Sequence, residues 1–154
     1  MKRIPQDVFK LIVEHTPLVS IDLIVRNEGG HMLLGMRRNR PAQDCWFVPG
    51  GRIAKNEPMA QAFLRITRDE LGTAFSAEAC RFVGVFEHIY ADNFSGDPTF
   101  GTHYVVLAHE LRVTDTQLAL PQAQHSGYRW ASDADILADD VVHENTKAYA
   151  RLNL

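Results

Sequence analysis

Apolar side chains recur at helical spacing in residues 7–15, where Val8, Phe9, Ile12 and Val13 share one side, and Thr16-Pro17 stops the run. This spacing predicts a short amphipathic helix. Over Leu18–Arg26 the pattern changes to alternation, with Val19, Ile21, Leu23 and Val25 on one face and Ser20 and Asp22 on the other, which predicts a strand with a polar face. Asn27-Glu28-Gly29-Gly30 has turn chemistry and residues 31–37 are again extended, so the two segments are expected to pair as a hairpin.

Residues 38–45 form a polar loop, and Trp46-Phe47-Val48 is a short apolar strand ending in Pro49-Gly50-Gly51. A second helix opens near Pro58, carries the stripe Met59, Ala62, Phe63 and Ile66, and stops at Gly72. Residues 81–90 and 103–112 read as strands on either side of the turn-rich stretch 92–98, and so are expected to flank a site. A loop over 113–127 leads to a short strand at 128–130, after which Ser132 with Asp135 resembles a capping box opening a final helical region. Strands interleaved with few helices predict an α/β (α+β) domain, a mixed sheet sandwiched between helices.

A chain of 154 residues, 45% apolar and 23% charged, has the length of one domain, residues 1–154, and buries enough surface to fold without disulfides or a structural metal. Cys45 and Cys80 have no CxxC or Cys/His ligand spacing, so they are expected to be reduced thiols. The opening residues lack the apolar core of a signal peptide and no segment is apolar enough to span a bilayer, which gives a cytoplasmic expectation with no membrane partner. A net charge of -3 and a pI near 6.1 argue against broad binding to nucleic acid or anionic lipid. His15, His31, His103, His109 and His143 show no paired zinc-ligand spacing, and the scattered aromatics, including Trp46 and Trp130, read as core fillers.

The anomaly is Glu70, which sits four residues beyond Ile66 on the apolar stripe of the second helix. Either the stripe has rotated to a solvated face or this carboxylate has a partner inside. Gly51, Glu57, Arg65, Glu70 and Gly72 keep a fixed spacing that resembles the Nudix box, G-x5-E-x7-R-E-U-x-E-E-x-G-U, with Asp69 a conservative change. One departure is decisive, because the carboxylate that normally follows the arginine is Ile66 here, which can neither bind a metal nor accept a proton.

That departure, together with Thr16-Pro17-Leu18-Val19-Ser20, Asn39-Arg40-Pro41-Ala42-Gln43, Trp46-Phe47-Val48-Pro49-Gly50-Gly51-Arg52, Asp92-Asn93-Phe94-Ser95-Gly96, Thr102-His103-Tyr104-Val105-Val106 and Gln124-His125, is similar to one Nudix subgroup, the GDP-mannose mannosyl hydrolases. The resemblance covers nearly the whole chain. It implies hydrolysis of a nucleotide sugar, GDP-mannose and also GDP-glucose, to GDP and free sugar, with water attacking the anomeric carbon and inverting it. It further implies one Mg²⁺ per site, replaceable by Mn²⁺, held by the Gly50 carbonyl, Glu70 and Gln124 together with diphosphate oxygens and water.

The same resemblance makes His125 the general base, sets Arg37, Arg52 and Tyr104 against the diphosphate, and sets Asp22 and His88 against the sugar. A base on a polar loop implies that the loop closes before water is aligned. Asp69 and Glu57 stay open between metal contact and structural pairing with Arg65. A homodimer is implied as well, with the first helix a candidate contributor. Two other readings compete: a diphosphatase releasing GMP and sugar 1-phosphate, and a module that binds a nucleotide sugar without turnover.

Overall fold

The computed structural model describes residues 4–122 and 125–152, save the side chain of Asp115. Among these, α1 spans Gln6–His15, β1 Leu18–Arg26, β2 Met32–Arg37, β3 Trp46–Phe47, β4 Gly50–Arg52 and α2 Met59–Leu71. They are followed by β5 at Arg81–Tyr90, β6 at Thr102–Arg112, β7 at His125–Ala131, α3 at Asp133–Ala138 and α4 at Glu144–Ala150. The strands form one seven-stranded mixed sheet, in which β1 runs parallel to β6 while β5 and β6 are antiparallel. No helix among the described residues is long and apolar enough to cross a membrane.

Helices cover both faces, as the pattern predicted, and this explains why nearly all of β1 is buried rather than every second residue. Ile21, Leu23 and Val25 pack with Phe63, Ile66 and Leu71 under α2. Ile24 faces the other way, into a cluster with Phe47, Ile136, Val142 and Tyr149 under α3 and α4. By the period of two, Asp22 shares that second face, so the polar face expected for Ser20 and Asp22 is in fact interior.

The expected hairpin is only a base: β1 and β2 pair at Arg26↔Met32 and then part. The chain from 46 to 52 wedges between them, with β3 on β2 and β4 on β1, where Asp22 stands opposite Gly50. Proline and glycines at 49–51 therefore do not simply end a strand; Gly50 and Gly51 enter a new one. A Cβ at Gly50 would lie 2.5 Å from the Ile21 carbonyl oxygen, so only a bare backbone fits this close to β1. The free edge of β2 is taken by β7, which starts at His125 and not at 128 as expected.

Pro58 precedes α2, and Gly72, in the left-handed conformation at φ 73, closes it by donating its N–H to Arg68 O. Ser132 caps α3 by accepting from the Asp135 N–H at 3.1 Å, the box read from sequence. The final helical region breaks after α3, and α4 starts afresh on a cap from His143 Nδ1.

Candidate active site

The gap left by the parting strands is a cleft of about 340 Å³, lined from both sides of the sheet. It gathers Asp22 from β1, Arg37 from β2, Gly50 and Arg52 from β4, Glu70 from α2, His88 from β5 and Tyr104 from β6. His125 does not line it but touches a residue that does. Gln124 lies outside the described residues.

Glu57 and Arg65 form a buckle. Arg65 Nε and Nη2 donate to the two Glu57 oxygens at 2.6 and 2.8 Å, and Nη2 also reaches the Arg52 carbonyl at 2.8 Å. Glu57 accepts the Ala54 N–H as well, so the turn after β4 is strapped to α2 and the Arg52 backbone is fixed. Asp69 is half-exposed and 3.8 Å from Arg65, an i,i+4 ion pair on the helix surface.

The Arg65 hydrogen bonds hold the Glu57 carboxyl down at about 2, against 4.5 ordinarily. A depressed folded value contributes stability that is complete above about pH 4.5 and is lost as pH falls through about 2. Arg65→Ala is therefore expected to lower stability by about 2 kcal/mol near neutral pH. In urea unfolding, the gap between variant and wild type should narrow at about pH 3; an unchanged gap would remove this pair from the account.

Glu70 and His125 are each only 5% exposed, and His125 Nε2 lies 3.2 Å from Glu70 Oε2. No Lys or Arg forms an ion pair with Glu70 among the described residues, so its negative charge has no fixed cation. His125 is set by its surroundings: its ring meets Tyr128 edge-on at 5.2 Å, and a Cβ at Gly35 would lie 2.5 Å from its Nδ1. The histidine thus belongs to a sheet, not to the loop that its polar neighbours suggested. Beside this pair Ile66 is buried hydrocarbon against Gly51, where the box ordinarily has a carboxylate.

Arg37 and Arg52 form no salt bridge among the described residues. Arg37 lies over the Phe47 ring at 5.6 Å with its Nε buried and without a hydrogen-bond partner among the described residues, and Arg52 lies over Phe9 at 4.2 Å. Two guanidiniums on aromatic seats, with donors unspent, suit an anionic ligand. The Tyr104 hydroxyl shares this end, its pKa raised by burial though both arginines oppose the rise.

Tyr149, which no pattern in the sequence singled out, donates its hydroxyl proton to Asp22 Oδ2 at 2.7 Å. Burial pushes the Asp22 carboxyl up to about 7 from 3.8, with Tyr149 and Arg37 opposing. A raised value acts in the opposite sense to Glu57: its contribution to stability is complete below about 3.8 and is lost as pH rises through about 7. Burial, with His143 nearby, lowers His88 to about 4, so this imidazole is neutral at ordinary pH.

Among the described residues no three His, Cys, Asp or Glu side chains converge on a metal site. The donors suit a hard cation that shares ligands with a substrate: Glu70 supplies an unneutralised carboxylate, and alternation along the β1/β4 pair turns the Gly50 carbonyl away from β1.

Known proteins share this fold. A relative 43% identical over 124 residues, 80% of this chain and 76% of that protein, is the low-salt glycan biosynthesis protein Agl8 of Haloferax volcanii. The MutT NUDIX hydrolase of Burkholderia pseudomallei shares the fold with a TM-score of 0.70 at 22% identity, over 89% of this chain and 98% of that one. The NUDIX domain of Shewanella oneidensis NrtR, solved with ADP ribose, superposes with a TM-score of 0.63 at 17% identity, over 97% and 99%. Residues 16–152 match the NUDIX domain model, and the mixed sheet between helices with its glycine, glutamate and arginine buckle places this chain in the Nudix hydrolase family.

Proposed function

We propose that this chain hydrolyses GDP-mannose, and also GDP-glucose, to GDP and the free sugar by attack of water on the anomeric carbon with inversion. The observation that carries the reading is the buried Glu70–His125 contact beside Ile66. The carboxylate that ordinarily follows the box arginine is replaced by hydrocarbon, and an imidazole lies 3.2 Å from Glu70, the buried carboxylate of the box. The glycan role in the name of the Haloferax relative points toward the same class of substrate.

Nudix hydrolases generally use divalent metal ions. Here Gly50 O and Glu70, with Gln124, would hold one Mg²⁺, for which Mn²⁺ substitutes, and when bound it neutralises the diphosphate so that GDP leaves more readily. Arg37, Arg52 and Tyr104 bind the diphosphate oxygens and keep the leaving group in place. Asp22 and His88 orient the sugar, and the Asp22 carboxylate favours the positive charge that develops at the anomeric carbon. His125 takes a proton from the attacking water as the water oxygen bonds to that carbon; the carbon–oxygen bond to GDP breaks and its electron pair leaves with the diphosphate. The proposed assembly is a homodimer, to which α1 can contribute the exposed Val8 and Leu11.

Incubation with GDP-mannose and Mg²⁺ in heavy-oxygen water, followed by ion-exchange separation, tests the reading. GDP with the label in mannose is the expected result. GMP with mannose 1-phosphate would instead assign attack at phosphorus, and binding without products would leave a sensor.

A further inference from the structure

The hydroxyl of Tyr149 sits between the two side chains assigned to the sugar. Tyr149 is fully buried on α4 and belongs to neither the box nor the cleft wall. Its single proton is committed to Asp22 Oδ2 at 2.7 Å. The 3.4 Å contact between the same oxygen and His88 Nε2 is then a hydrogen bond only if His88 carries its own proton on Nε2 and donates it.

Two atoms make no hydrogen bond among the described residues. In that tautomer His88 Nδ1 is a bare lone pair, 3.9 Å from Asp22 Oδ2 and beyond hydrogen-bond reach of it, and Asp22 Oδ1 is likewise without a donor. Nothing separates Asp22 Oδ1 from the bare backbone at Gly50, where even a Cβ would lie 2.9 Å from it. Asp22 and His88 both line the cleft.

From this geometry we infer that Tyr149 is a positioning residue that fixes the hydrogen-bond polarity of the sugar subsite: by giving its proton to Asp22 and taking the one proton of His88, it presents only acceptors to the cleft. Such a subsite takes a glycosyl group through two hydroxyl donors. At Asp22 and His88 the oxygens of a further phosphate or a carboxylate meet lone pairs, with Arg37 the nearby cation on the same wall, and the pair so favours a nucleotide sugar over a nucleoside triphosphate. The inference rests on the proposed placement of the sugar at Asp22 and His88.

Two measurements on the full chain test it. Nitrogen NMR of the His88 imidazole without ligand is expected to show the Nε2–H tautomer, with that preference lost in Tyr149→Phe; an Nδ1–H tautomer in the wild type overturns the inference whatever the enzyme's products are. With GDP-mannose and each of its monodeoxy sugar analogues, loss of the contacting hydroxyls should lower wild-type kcat/KM about 10–100-fold. In Tyr149→Phe, which keeps the ring in the core, the same deletions should cost about threefold or less, the non-additivity of groups that act together. Equal penalties in both proteins, or none in the wild type, would reduce Tyr149 to a packing residue. If these products prove to be GMP and a sugar phosphate, the proposed function fails while the tautomer result stands by itself.

Discussion

His125→Gln is expected to lower kcat for GDP-mannose hydrolysis by about 10²–10⁴-fold, the usual contribution of a positioned general base, with KM little changed. Glutamine approximates the size of the imidazole and can still reach Glu70, but it cannot take a proton from water. The fold should not suffer. His125 pairs with Arg37 through its backbone, and its Nδ1 is buried without a hydrogen-bond partner among the described residues, so the substitution breaks little that holds β7 in place. Steady-state kinetics beside a thermal melt separates the two effects. A kcat within about threefold of wild type would end the assignment of His125 as base.

Glu70→Gln should lower kcat by about 10³-fold, about 4 kcal/mol in the transition state, and raise the metal concentration needed for half-maximal rate. Stability should move the other way. A carboxylate only 5% exposed, with the His125 imidazole but no lysine or arginine beside it among the described residues, is incompletely compensated for its removal from water, and the amide relieves that cost. The melting temperature is therefore expected to rise by a few degrees while activity collapses, the behaviour of a group kept for function. A loss of both together would mark Glu70 as structural, and unchanged activity at the same metal concentration would remove it from the metal site.

How far these assignments could be read from sequence depends on the range of the contact involved. The α2 stripe, its Gly72 stop and the Glu57–Arg65 spacing are local, set by 3.6-residue periodicity and by partners within a few turns. The sandwich of helices about a mixed sheet was legible for the same reason. The hairpin was not, because alternation identifies a strand without naming its neighbour, and the wedge at 46–52 competes for the same edges of β1 and β2. His125 was assigned to a loop because Gln122-Ala123-Gln124-His125-Ser126-Gly127 lacks apolar alternation, yet an edge strand beside a polar cleft needs none. Ser20 and Asp22 looked solvent-facing since nothing local announces the helices that bury them. Tyr149 carried no signal at all: its partner stands 127 positions earlier in the chain.

That separation has a consequence for how the protein comes into being on the ribosome. The box, the buckle and the two arginines can assemble as soon as β1 to α2 have emerged, but β1 must wait for β6, β2 must wait for β7, and Asp22 must wait for α4. Synthesis proceeds at about 5–20 residues per second, so a nascent chain spends seconds with a buried-type carboxylate still open to water and an apolar sheet face uncovered. The proposed sugar end of the cleft is then the last part of the molecule to exist, and a message cut short before α4 would yield a chain without Tyr149, lacking both the partner of Asp22 and part of the core beneath the sheet.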